Sequence, residues 1–285
     1  MAKIKASDLE ICEVIGEGGY GDVNRAIWKA SKSERREVAV KTLRLSRDEN
    51  ELEMLIKLQH PYIILLLGFV KEQGANFKLV LEFGNGGSLR SYLDEYAGQY
   101  PIDLMQLFDW LKQITLPVQY LKEKDVQHRD IKSPNYIITE GMVLKLGDFG
   151  LAKEVKKTRT TGYAGTLRWA APEYIKDSRL STRNDIHPLG LVMWEIITSE
   201  LPFHQYPDDN IGYQLMQAIC EKNERPAIPA FCPPELADML KQCWEADRTK
   251  RPTLEHILDV IEATRRSVLT HPTTTNTTTA QTTSK

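Results

Sequence analysis

Apolar and polar positions alternate near the N-terminus and give way to helical spacing further along the chain. Residues 9–15 alternate roughly with period two, a glycine cluster intervenes, and 23–28 returns as a second apolar run. That pattern predicts a strand, a turn and a returning strand. Residues 37–41 predict another strand, in which period two sets Val38 and Val40 on one face and Ala39 and Lys41 on the other. Over 50–58, Leu52, Leu55 and Leu58 recur at helical spacing and Glu51 shares a face with Leu55. Two more strands are expected near 63–69 and 77–82. Gly84-Asn85-Gly86-Gly87 then breaks the pattern and marks a boundary between a small β-rich unit and a larger one. Beyond it, Leu104, Leu107, Phe108, Leu111, Ile114, Val118 and Leu121 trace one apolar stripe. Further helices are expected around 189–198, 212–220, 235–244 and 254–263.

Composition narrows the classes without choosing one. The chain has 285 residues, 41% hydrophobic and 27% charged, which is ordinary for a water-soluble globular protein. A formal net charge of -2 favours neither nucleic acid nor an anionic membrane as partner. Cys12, Cys220, Cys232 and Cys243 form no C-x-x-C pair, and no signal-like apolar run precedes them, so they are expected to be reduced thiols of a cytoplasmic protein. No stretch approaches the ~18 apolar residues of a membrane helix. One folded domain is expected over 8–267. Residues 271–285 carry no large apolar side chain to bury, and the threonine-rich tail over 268–285 is expected to be disordered.

Several motifs carry chemistry. Gly16-Glu17-Gly18-Gly19-Tyr20-Gly21 is G-x-G-x-x-G, but Asp22-Val23-Asn24-Arg25 continues it as a strand, so a helix-opening dinucleotide site is disfavoured. A glycine hairpin can lay backbone N–H groups over phosphates, because no Cβ blocks the approach; a plain hairpin turn is the bland alternative. Lys41 and Glu51 would each be ordinary surface charges alone, yet together they could form an ion pair that holds Lys41 against phosphate oxygens. His128-Arg129-Asp130-Ile131-Lys132-Ser133-Pro134-Asn135 is far more specific. A hairpin follows it, turning near Glu140-Gly141, and runs into Asp148-Phe149-Gly150; Ala171-Pro172-Glu173 comes later.

In that order and spacing, these motifs resemble the protein kinase family over roughly residues 8–266. The resemblance implies an α+β, two-lobed protein kinase fold: a β-rich N-lobe over 8–83 with one main helix, a hinge region at 84–86 and a mostly helical C-lobe over 87–267. It implies a Mg2+-dependent transfer of the γ-phosphate of ATP to protein hydroxyls, where catalysis is mainly positioning and charge stabilisation. The glycine loop from Gly16 to Gly21, flanked by Ile15, would cover the phosphates. Lys41 would contact them and pair with Glu51. Asn135 and Asp148 would hold Mg2+ through hard oxygen donors. Asp130 would orient the substrate hydroxyl, and Lys132 would neutralise the γ-phosphate. Val23, Ala39 and Ile137 would sandwich the adenine. Glu82, Phe83 and Gly84 would bind its edge, with Leu81 as gatekeeper. Leu55, Leu66, His128 and Phe149 would stack as an apolar column, for which an ordinary core is the rival account.

Lys132 and Gly165-Thr166-Leu167-Arg168-Trp169 resemble the serine/threonine pattern, with Thr166 near Asp130 and Lys132. The segments 221–229 and 242–252 resemble mixed-lineage kinases of the tyrosine-kinase-like branch. A MAP kinase kinase as protein substrate is the implied partner, and Arg251 would pair with Glu173. Phosphorylation at Thr158, Thr160, Thr161 or Tyr163 would pair with Arg129. Pro117 inside the apolar stripe, His187-Pro188 where the family usually has an aromatic and a serine, and the bulky Tyr62 and Tyr136 depart from the pattern. A nucleotide-binding scaffold without efficient turnover is the rival function. Lys41, Asp130, Asn135 and Asp148 are all present and argue against it.

Overall fold

The computed structural model describes residues 2–18, 21–31, 33–43, 49–71, 77–97, 102–155, 165–177, 180–206 and 211–270. Its first part is a six-stranded sheet. The strands are β1 (Ala2–Lys3), β2 (Leu9–Gly18), β3 (Gly21–Lys29), β4 (Arg35–Thr42), β5 (Leu66–Lys71) and β6 (Phe77–Glu82), in the order β1-β5-β6-β4-β3-β2. Helix α1 (Glu49–Lys57) lies between β4 and β5 in sequence. The expected alternation in β4 is realised. Val38 and Val40 pack with Ile4, Ala26, Val70 and Val80 in one small core. Ala39 faces the main core, and Lys41 is buried on that same side. β1 is an unexpected sixth strand: it runs parallel to β5, pairs Lys3 with Phe69, and places Ile4 in the small core. The sheet therefore begins at Ala2 rather than near residue 8.

The second part is mostly helical: α2 (Leu89–Tyr96), α3 (Leu104–Glu123), α4 (Pro172–Asp177), α5 (Ile186–Thr198), α6 (Ile211–Cys220), α7 (Pro234–Cys243) and α8 (Leu254–Thr270). Two hairpin-like pairs lie beside it. β8 (Tyr136–Thr139) pairs with β9 (Val143–Leu146), and β7 (Val126–Gln127) pairs with β10 (Lys153–Glu154). α5 is buried on every side from Ile186 to Ile196, so it is the central post against which the other elements pack. This is the two-lobed arrangement that the motifs implied.

Three expectations need correction. Residues 63–65 are not strand. Ile63 bridges Leu146, Ile64 N–H donates to Leu146 O, and Leu146 N–H donates to Tyr62 O, so this stretch ties the first lobe to β9 instead of extending β5. α8 continues past 267 to Thr270, with Val268 packed on the core; residues 271–285 lie outside the described residues. α2 and α4 were not anticipated. α2 is nevertheless capped at Ser88, whose hydroxyl accepts the Ser91 N–H at 3.1 Å.

The departures are absorbed locally. α3 runs through Pro117, which sits in a fully packed stretch, while Thr115 Oγ1 donates back to Leu111 O at 2.7 Å. Pro188 falls in the first turn of α5, where N–H groups have no helical partner to lose. Tyr136 is completely buried, and its hydroxyl donates to Ile114 O at 3.0 Å.

Candidate active site

The cleft between the lobes is built from β2, β3, β4 and β6 above and β8 below. The register places Val23 opposite Lys41 and Ala39 opposite Leu81, so the expected adenine wall and the lysine lie on neighbouring strands. Gly16 faces Val23, and Gly18 faces Gly21 at the hairpin mouth. Gly21 has φ +128, and a Cβ there would strike Thr42 O, so only glycine fits. Ile15 is 47% exposed at the cleft edge. Gly19 and Tyr20 lie outside the described residues.

Phe83 and Gly84 follow β6 directly. A Cβ on Gly84 would overlap Ile137 Cγ2, and Gly86 N–H donates to Ile138 O, so the connection is pressed onto β8. The Glu82 N–H donates to Leu65 O, and its carboxylate accepts from Lys145 Nζ at 2.7 Å and Leu65 N–H at 2.6 Å. Its amide N–H is therefore committed to the 63–65 stretch.

Lys41 Nζ donates to Glu51 at 2.8 Å and to Asp148 Oδ1 at 2.9 Å. Burial alone would pull the ammonium pKa down. The two carboxylates outweigh it and hold the group above its ordinary value. Burial likewise pushes the Asp148 carboxyl up, but the charge and hydrogen bond of Lys41 more than offset this and lower it. Glu51, 2% exposed, is thus held by a cation that also fixes the start of the Asp148-Phe149-Gly150 turn.

Across the cleft, the loop from β7 to β8 gathers the second group. Asp130 Oδ1 accepts from both the N–H and the hydroxyl of Thr166, at 2.9 Å each. Asp130 Oδ2 accepts from Lys132 Nζ at 2.7 Å and from Asn135 Nδ2 at 3.2 Å. Lys132 Nζ also donates to Thr166 Oγ1 at 2.7 Å, so Thr166 closes a triangle with the other two, as the resemblance implied. Asn135 Nδ2 donates further to Asp130 O at 2.8 Å, which leaves the amide oxygen as its remaining polar end. Asn135 and Asp148 thus offer an amide oxygen and a carboxylate, donors that suit a hard divalent cation such as Mg2+.

The backbone here is forced. Arg129 and Asp148 adopt φ of 74 and 57, unusual for non-glycine residues. Asp185 supports the first: it accepts the His128 N–H at 2.7 Å and the Arg129 N–H at 3.2 Å. Its complete burial pushes its carboxyl up to about 7 despite those bonds. Phe149 is fully buried and meets the His128 ring edge-on at 4.8 Å. Leu55 and Leu66 are buried in the same core as Phe149, consistent with the apolar column. Arg251 meets Glu173 through both nitrogens, at 2.7 and 2.6 Å, in a bidentate pair with no exposed arginine surface.

One group had no sequence forecast. Glu195 of α5, wholly buried, accepts from Ser133 Oγ at 2.6 Å, Trp169 Nε1 at 2.8 Å and Arg90 Nη1 at 2.9 Å. It links α2, the Asp130 loop and the segment after Thr166. Burial pushes its carboxyl up to about 7, although those donors pull it down. Its partners are scattered along the chain, and no local spacing could have revealed it. Thr158, Thr160, Thr161 and Tyr163 lie outside the described residues. Arg129 itself is buried, donating from Nε to Tyr174 Oη at 2.6 Å and from Nη1 to Leu151 O at 3.2 Å.

The family profile of protein tyrosine and serine/threonine kinases matches residues 9–261. Among curated proteins, mitogen-activated protein kinase kinase kinase 10 of mouse and of human are each 34% identical over 94% of the chain. Serine/threonine/tyrosine-protein kinase HT1 of Arabidopsis thaliana is 31% identical over 90% of it. The chain spans 29% of the length of the two mammalian proteins and 66% of the plant one.

Proposed function

The chain belongs to the protein tyrosine and serine/threonine kinase family, and we propose that it is a turnover-competent serine/threonine kinase that moves the γ-phosphate of ATP to protein hydroxyls. The observation that carries this is the convergence of Lys41, Glu51 and Asp148 in one buried ion cluster facing a second made of Asp130, Lys132, Asn135 and Thr166. No catalytic group is missing, and α1 already stands in contact with Lys41.

Kinases of this family use ATP and Mg2+, which supply the transferable phosphoryl group and part of the charge that stabilises its transfer. The chain's own residues do the rest. Lys41, kept cationic by its two carboxylates, holds phosphate oxygens. The described glycines of that hairpin, Gly16, Gly18 and Gly21, would cover them with backbone N–H groups. Asn135 and Asp148 would hold the metal. Asp130 takes the hydrogen bond of the incoming hydroxyl and fixes its line of attack, while Lys132 balances the charge that develops on the transferred group. Thr166, bonded to both, sets the floor under the acceptor and suits a short Ser or Thr side chain.

The similarity to a mitogen-activated protein kinase kinase kinase makes a MAP kinase kinase the protein substrate of first choice. The four cysteines are free thiols, which suits the reducing cytoplasm. Among the described residues no helix is long and apolar enough to cross a membrane.

The test is transfer of radiolabel from ATP to myelin basic protein and to the chain itself, with Lys41→Met and Asp130→Asn beside the wild type. Label on serine and threonine that needs Mg2+ and falls by about 10²-fold or more in both variants is expected. Tight Mg2+–ATP binding with no transfer would favour the scaffold reading instead.

A further inference from the structure

Asn50 stands in the first turn of α1, next to Glu51, and has no role in the catalytic set described above. Its Nδ2 reaches Ala152 O at 3.0 Å, Gly150 O at 3.3 Å and Phe149 O at 3.5 Å. The one carbonyl between these, that of Leu151, accepts from Arg129 Nη1 at 3.2 Å. So every carbonyl from 149 to 152 meets a side-chain donor, one from each lobe. Ala152 N–H closes the turn on Phe149 O at 3.0 Å.

We propose that Asn50 is a positioning residue for phosphoryl transfer: its carboxamide clips the 149–152 backbone to α1, and so fixes Asp148 through a contact that involves no ligand. The inference rests on the kinase reading. Lys41 and Glu51 also tie α1 to Asp148, but Lys41 must turn toward phosphate oxygens when ATP enters, and that tie is then shared. Among the described residues the Asn50 side chain bonds backbone carbonyls, which ATP does not compete for, so its contact persists through the cycle. Chemistry dictates its orientation: three acceptors face it, so only the NH2 end fits, and an oxygen there would be repelled.

That polarity supplies the test. Asn50→Asp keeps the shape, but as a carboxylate it turns an acceptor toward three acceptors. Asn50→Ala removes the group. Exposed Glu53 on the same helix gives the control Glu53→Gln. Two readouts are taken on the whole chain. One is kcat and KM for ATP at pH 8; the other is amide hydrogen exchange of 149–155 without nucleotide.

At pH 8, Asn50→Asp and Asn50→Ala should each lose about tenfold in kcat with KM for ATP changed less than about twofold. Exchange in 149–155 should quicken by about tenfold in both. Exchange and turnover equal to wild type in both variants would overturn the proposal. So would a loss confined to KM, which would make Asn50 a nucleotide contact. If the wild type transfers no phosphate, the kinase reading fails on its own. The exchange comparison then still decides whether the clip holds the segment.

Discussion

Two buried polar regions of this molecule are built in opposite ways. Around Asp130 and Lys41, charged groups are packed together and almost every donor meets an acceptor; His128 Nδ1 is the exception. At the start of α5 the reverse holds. Nε1 of Trp244 and Nη2 of Arg225 are buried without a hydrogen-bond partner among the described residues, and the ring nitrogens of His187 make no well-formed hydrogen bond there, with only a weak approach to the Trp169 backbone. These groups are neighbours. Arg225 Nε donates to Trp244 O at 3.0 Å, and a Cβ on Gly190, one turn after His187, would come within 3.0 Å of Trp244 Nε1. Burial, then the charges of Arg251 and Arg225, push the His187 imidazole well below its ordinary value, so it stays neutral. The first region keeps costly charges because each is paired and used. The second holds polar atoms that no catalytic step needs, at the place where the sequence departs from the pattern its motifs imply.

Three substitutions test that contrast, in order of expected effect. Glu173→Gln removes the only carboxylate that meets the fully buried Arg251 guanidinium among the described residues. It should cost about 3–5 kcal/mol, because an unpaired buried charge remains. For a domain of this size that is a fall in Tm on the order of 10 °C, read by thermal denaturation.

Glu195→Gln is next, and its effect depends on pH. The folded carboxyl lies at about 7 and the ordinary value is 4.5, so the protein binds this proton more readily when folded. The resulting stability is complete below pH ~4.5 and is lost as pH rises through about 7. Glutamine does not titrate. The wild-type advantage in urea should therefore shrink by up to about 3 kcal/mol between pH 5 and 8. A gap that stays constant with pH would mean the carboxyl titrates normally.

The smallest effect is expected at His187→Phe. Replacing ring nitrogens that make at most one weak contact, to the Trp169 backbone, should be neutral or stabilising by about 1 kcal/mol, against the usual sign for a core substitution. A loss beyond about 2 kcal/mol would show that the imidazole has a partner, such as an internal water, and would break the contrast.

What could be foreseen from the sequence divides along the same physical lines. Period two in β4 assigned Val38 and Val40 to one core and Ala39 and Lys41 to the other side, because strand alternation is local. The pairs Lys41–Glu51, Thr166 with Asp130 and Lys132, and Arg251–Glu173 were legible through the motifs that carry them. The Glu195 network was not: its four members come from α2, the Asp130 loop, the segment after Thr166 and α5, and only the finished fold brings them together. Residues 63–65 misled because an apolar run suits a strand or a buried tether equally well. α2 was legible and overlooked, since Ser88 followed by Leu89, Tyr92, Leu93 and Tyr96 is a cap before a helical stripe.

The most direct test of the central claim, that the catalytic set works as it stands, is the turnover of wild type beside a double variant, His187→Trp with Pro188→Ser. That variant gives the start of α5 the aromatic and the serine that the motif resemblance implies there. The account predicts Mg2+-dependent transfer by the wild type, with kcat within about threefold of the double variant, because among the described residues neither His187 nor Pro188 hydrogen-bonds to Lys41, Asp130, Lys132, Asn135 or Asp148, although Pro188 lines one cavity with Asp130. A silent wild type and an active double variant would contradict it, and would make the start of α5 the element that decides whether this kinase can act.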